Sequence, residues 1–135
     1  MAVIFSASSD RMSFSHSSRI IAPILHWLFP RMSDESVHAV VFAVRKAAHV
    51  NEYAILSVLV WRALRKPSAA NPRPWLWSYA SSALIVVALY ATSDEIHQAF
   101  VPTRQASVWD VILDTLGGAF GLLFLWIIGR WRKHW

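Results

Sequence analysis

Residues 75–93 contain no charged side chain. At about 1.5 Å per residue this stretch makes a helix of about 28 Å, close to the roughly 30 Å hydrocarbon core of a bilayer. Backbone inside hydrocarbon must satisfy its own N–H and C=O groups, so the stretch reads as a membrane-crossing α-helix. Residues 108–129 form a second candidate, apolar from Thr115 onward but carrying Asp110 and Asp114 in its first two turns. A third occupies residues 47–64, with Glu52 near one end and Arg62 at the other. Composition agrees: 56% of residues are hydrophobic and 16% charged, against roughly 45–50% and about 25% in soluble domains. Several of the eight tryptophans flank apolar runs, where amphipathic rings favour the membrane interface.

Upstream, residues 19–30 are apolar but too short to cross, and Pro23 interrupts them, so this segment is expected to be interfacial or re-entrant. Ser33-Asp34-Glu35 reads as a helix start, an N-cap oxygen followed by acids at the positive dipole end. Val37, Val40, Val41 and Val44 follow at helical spacing, and this helix is expected to run into the 47–64 span. The first five residues are apolar and stop at Ser6; they lack a signal-peptide pattern and fit a truncated helix end. The expected organisation is an N-terminal partial crossing and interfacial segment at 1–35, a membrane domain at 36–129 and a basic tail at 130–135. The fold class is all-α, a polytopic membrane helix bundle with three clear transmembrane helices.

Charge orients the spans. Arg62, Arg65, Lys66 and Arg73 flank the loop before the uncharged stretch, Arg130, Arg132 and Lys133 form the tail, and residues 53–93 and 115–135 hold no acid. The positive-inside rule therefore places the loop and the C-terminus in the cytoplasm and the acids at or outside the opposite boundary. The net charge of +5 follows this topological pattern, and no nucleic-acid recognition motif accompanies it, so nucleic acid is not an expected partner. With no cysteine there is neither a disulfide framework nor a thiolate metal site.

Three helix ends thus converge on the outer face with the most polar residues of the chain. On the first, His49 and Glu52 stand three apart and share a face; on the second, Asp94 aligns with His97 and Glu95 with Gln98; the third begins Arg104-Gln-Ala-Ser107 and carries Asp110 and Asp114. Ionisable groups at a bilayer boundary are costly unless paired or facing a wet cavity, so convergence points to a functional site. Bland readings stand beside this one. Ser107-x-x-Asp110 is equally a capping box, and His49-x-x-Glu52 alone is a common hydrogen-bonded pair. Gly117, Gly118 and Gly121 give a small-xxx-small face suited to close helix packing. His16, His26, His38 and His134 fall outside the converging ends and read as surface or interface residues.

The strings Arg-Lys-Ala-Ala-His-Val-Asn-Glu-Tyr-Ala-Ile-Leu at 45–56 and Ser-Asp-Glu-Ile-His-Gln-Ala-Phe-Val-Pro-Thr-Arg-Gln-Ala-Ser-Val-Trp-Asp-Val-Ile-Leu-Asp-Thr-Leu-Gly-Gly at 93–118 resemble the VanZ-like family. The resemblance covers residues 36–129 well and the first 35 loosely. It implies a membrane domain of about four helices, hence a first crossing shortened here or lying upstream of Met1. The family pattern carries over to Lys46, His49, Glu52, Tyr53, Asp94, Glu95, His97, Gln98, Arg104, Ser107, Asp110 and the glycines, while Asp114 stands where many members have asparagine. Its namesake is linked to resistance to the glycopeptide teicoplanin, which implies action at the cell envelope.

Two functions follow as expectations. One is a membrane-embedded enzyme acting on a lipid-linked or envelope substrate, with His49, Glu52, Asp94, Glu95, His97 and Asp110 in catalytic roles. Lys46, Tyr53, Gln98, Arg104, Ser107 and Asp114 would then bind substrate, Arg104 through an anionic headgroup, and His49, Glu52, His97 and Asp110 are the candidate ligands of a divalent metal. The alternative is a non-enzymatic membrane factor that binds an envelope precursor or an antibiotic on the same rim. An ion-coupled transporter fits less well, because it needs charge at mid-membrane.

Overall fold

The computed structural model describes residues 14–65, 75–100 and 106–133. Among them there are four α-helices and no strand: α1 (Phe14–Leu28), α2 (Asp34–Leu64), α3 (Trp77–Ala99) and α4 (Val108–Trp131). The segment 1–13, with its expected truncated helix end, lies outside the described residues, as do Lys66 and Arg73 of the basic loop and His134.

The start of α2 is the one its sequence specifies. Ser33 adopts extended backbone and its hydroxyl accepts the Ser36 N–H at 3.3 Å, with Asp34 and Glu35 in the first turn. From there the helix runs unbroken for 31 residues, about 46 Å at helical rise, so the apolar residues 47–64 are the second half of one long element. α1 has 15 residues with Pro23 inside it, about 22 Å and short of a crossing. It packs against α2, and His26 Nε2 lies 3.5 Å from Asp34 Oδ1 where the two helices meet.

Close approach sets the bundle of α2, α3 and α4. A Cβ on Gly117 would lie 2.7 Å from the Val50 carbonyl oxygen, and one on Gly121 would lie 2.6 Å from that of Ala54. Only a residue without a side chain lets the backbones come this near, which is the packing role expected of the glycine stripe. Residue 117 beside 50 and 121 beside 54 also means that α2 and α4 run parallel. The Ser57 hydroxyl stands 2.8 Å from the carbonyls of both Ala54 and Gly118, sharing its one proton across the seam. α3 fits the groove with a face of small residues, Ala80, Ala83, Val87 and Ala91, all buried. Tyr53, Leu56, Val87 and Ala91 form one core cluster; Trp61, Ala80, Ala83 and Leu122 form another toward the other end.

The polarity of the bundle is reversed relative to a water-soluble one. Ser57, Asp94, Glu95, Gln98 and Asp114 are buried, while Ile55, Ile85, Leu89, Leu116, Phe120 and Phe124 are exposed, Leu89 by 67%. Such an exterior suits an apolar solvent. Among the described residues only α4 is both long and apolar enough to cross a bilayer on its own composition. The expectation of three clear crossings thus holds at that criterion for one helix. α3 is diluted by Trp77, Ser78, Tyr79, Ser81, Ser82 and Tyr90, and α2 by Asn51, Glu52 and Arg62.

Candidate functional site

At one end of the bundle, residues 46–53 of α2, 94–98 of α3 and 107–114 of α4 come together. The start of α4 is held from both neighbours. Lys46 Nζ of α2 forms an ion pair with Asp110 Oδ1, each side chain about one third exposed. From α3, Glu95 Oε2 accepts the Ser107 N–H at 2.8 Å. These links settle the reading of Ser107-x-x-Asp110. Ser107 is the N-cap of α4, but its side chain makes no capping bond; its N–H goes to Glu95, and the Asp110 carboxylate goes to Lys46.

Within α3, Gln98 Nε2 donates to Asp94 Oδ2 at 3.0 Å, one helical turn apart. Spacing alone had put Gln98 with Glu95; the bond forms at i, i+4, and Glu95 points to α4. Asp94 is 3% exposed, Glu95 7%, Gln98 5% and Asp114 4%. Asp94 is the electrostatic centre, within interaction range of Glu52 and Tyr53 on α2, Tyr90 and Glu95 on its own helix, and Asp114 on α4. Glu95 lies beyond the uncharged 75–93 stretch, and its burial raises its carboxyl pKa; the Ser107 N–H opposes that shift, Asp110 and Asp94 add to it, and Lys46 opposes it.

Tyr53 is fully buried, its ring centroid 6.3 Å from that of Tyr90. Its hydroxyl has no hydrogen-bond partner among the described residues, although Asp94, Asp114 and Glu95 are all in electrostatic range. A buried hydroxyl left unmade costs about 1–3 kcal/mol.

His49, Glu52 and His97 are half-buried. No three of His, Asp and Glu among the described residues are grouped as a metal site would require, so the set His49, Glu52, His97 and Asp110 is not gathered in this conformation. Arg104 lies outside the described residues. His26 and His38 sit away from this end, His38 exposed. The expected list omitted Tyr90 and Ser57. Each is a polar-tipped residue inside an apolar run, at i−4 from Asp94 and i+4 from Tyr53, and that spacing was the available signal.

The VanZ/LLP1 family model matches residues 1–129. The chain belongs to the VanZ-like family. The matched region takes in α1 and the whole polar end, so the VanZ-like unit includes the segment before α2. No curated protein and no solved structure matches the chain.

Proposed function

We propose that this VanZ-like protein crosses the membrane three times, presents its polar end on the outer face, and acts there on a lipid-linked substrate of the cell envelope. The observation that carries this is the burial of Asp94, Glu95, Gln98 and Asp114 together at one end of a bundle whose flanks are apolar. Buried carboxylates at a membrane boundary are costly groups kept for use. Packing supports the crossings: α4 passes the length and apolarity criterion, and Val50, Ala54 and Trp61 of α2 and Ala83 of α3 lie at the depth of its residues 117–122. Helices at the same depth share the same solvent. The excess of basic residues at the opposite end supports a cytoplasmic position for that end and the C-terminus.

In this reading Tyr53 and Asp114 contact the reacting group, the half-buried His49 and His97 exchange protons with water, and Lys46, Glu95 and Ser107 fix the start of α4 that carries Asp110. The chemistry is acid–base catalysis on an envelope substrate, and the family resemblance connects it with glycopeptide resistance. A non-enzymatic binding factor is the second reading. It is favoured by the fact that three carboxylates already hold ordered partners: Asp110 with Lys46, Asp94 with Gln98 and Glu95 with Ser107.

The test is purification in mild detergent with mass spectrometry of the co-purified lipid, for the native chain, His97→Ala and Asp114→Ala. A defined envelope lipid that is turned over by the native protein and lost or left unprocessed in both variants supports the enzyme. Retention without turnover selects the binding factor. No specific lipid, with an unchanged envelope in cells carrying the variants, rejects both.

A further inference from the structure

The end of the bundle away from the carboxylates is built of tryptophan and arginine. Trp61 of α2 packs on Trp75 with ring centroids 4.9 Å apart, Trp75 meets Trp77 edge-on at 5.7 Å, and Trp77 reaches Trp126 of α4 at 5.8 Å. The Arg65 guanidinium lies 5.2 Å from the Trp61 ring centroid. Because α2 and α4 are parallel, Arg62 and Arg65 close the same end as Arg130, Arg132 and Lys133. Arg62 and the three cations of α4 and its tail are exposed. Neither helix brings an acid to this end, since residues 53–93 and 115–135 contain none.

We propose that this end is a binding surface for an anionic phospholipid headgroup, with Arg62, Arg65 and Arg130 taking the phosphate beside the tryptophan collar. A guanidinium held over an aromatic ring keeps its planar fork oriented, so less side-chain freedom is lost when it donates to a phosphate. The exposed rings of Trp77 (64%) and Trp131 (83%) give the glycerol and upper acyl region an amphipathic surface. A soluble phosphate gains nothing from those rings, and a zwitterionic headgroup returns a positive charge to a surface already rich in it. The inference rests on the membrane-spanning reading but not on the chemistry at the other end.

Native mass spectrometry of the full-length protein in detergent, titrated with phosphatidylglycerol or phosphatidylcholine, tests it. The native chain is expected to retain phosphatidylglycerol over phosphatidylcholine by about fivefold or more, the scale of one to two basic residues acting at a lipid surface. Arg62→Gln with Arg65→Gln abolishes the preference, Arg65→Lys keeps part of it, and Arg19→Gln with Arg31→Gln, which removes the same charge at exposed sites of the α1 end, leaves it intact. Circular dichroism confirms equal helix content, and the single Arg65→Lys variant serves where the double variant does not fold. Equal retention of both lipids overturns the inference, as does an equal loss in the α1-end control or displacement of the lipid by inorganic phosphate. Alkaline carbonate extraction separates the failures. A chain that stays in the membrane without a headgroup preference loses this inference alone, and a chain that is extracted loses the membrane reading as well.

Discussion

At the scale of single residues, Tyr53 distinguishes a structural role from a functional one. Its hydroxyl is buried without a hydrogen bond among the described residues, so Tyr53→Phe removes a polar group that makes no hydrogen bond to any of them. The expected melting temperature is unchanged or higher, by up to about 1–3 kcal/mol of stability. If the hydroxyl meets the substrate, the same variant loses about tenfold in ligand retention or turnover, the equivalent of one buried hydrogen bond. Thermal unfolding and lipid retention on one preparation give both readings; a lower melting temperature would mean that Tyr53 is simply a core residue. Lys46 and Asp110 behave differently, because each satisfies the other between α2 and α4. Lys46→Gln and Asp110→Asn each destabilise by about 1–2 kcal/mol, and the double variant by less than their sum, as expected for residues in contact. A strictly additive cycle would show that the pair does not hold the start of α4.

At the scale of elements, the seam between α2 and α4 makes a prediction about where a methyl group is tolerated. On Gly121 a Cβ meets the Ala54 backbone at 2.6 Å, and backbone cannot step aside without separating the helices. On Gly118 the nearest atom is Cγ1 of Val87 at 2.9 Å, a side-chain atom that can move. Gly121→Ala is expected to cost about 1–3 kcal/mol and Gly118→Ala distinctly less, measured by thermal unfolding in detergent; the reverse order would contradict the packing described. Much of this element structure was legible in the sequence. The Ser33 cap with its acidic first turn, the continuity into 47–64, the small-residue face of α4 and the shortness of α1 all follow from local rules. What the sequence could not supply was the pairing at the polar end. Spacing identified Asp94, Glu95, Gln98, Ser107 and Asp110 but could not assign their partners, because Glu95 reaches Ser107 and Asp110 reaches Lys46 across helices, and periodicity carries no information about contacts between elements. For the same reason His49, Glu52, His97 and Asp110 were legible as plausible metal ligands, while their failure to group is a fact of packing.

At the scale of the whole molecule, one register decides the topology. α4 is the helix whose composition suffices for a crossing, and α2 lies alongside it with 50 beside 117 and 54 beside 121. Seen alone, α2 looks too polar to be membrane-embedded, but its Glu52 and Tyr53 turn toward Asp94 at the polar end, and Ile55 and Leu59 are 61% and 56% exposed on its outer side. In the proposed topology a helix with this distribution, locked to a crossing partner, crosses with it, and α3 returns between them. That proposal puts the polar and basic ends in opposite compartments. The absence of cysteine makes this directly measurable, because single cysteines report without background. Phe100→Cys, 82% exposed at the end of α3, is expected to react with a membrane-impermeant maleimide added to intact cells. Arg132→Cys, exposed just past α4, is expected to react only after permeabilisation, with Arg62, Arg65, Lys66, Arg73, Arg130 and Lys133 still orienting the chain. Labelling of both sites from the same side would place both ends of the bundle in one compartment, which three crossings cannot do, and the outer-face site would fall with them.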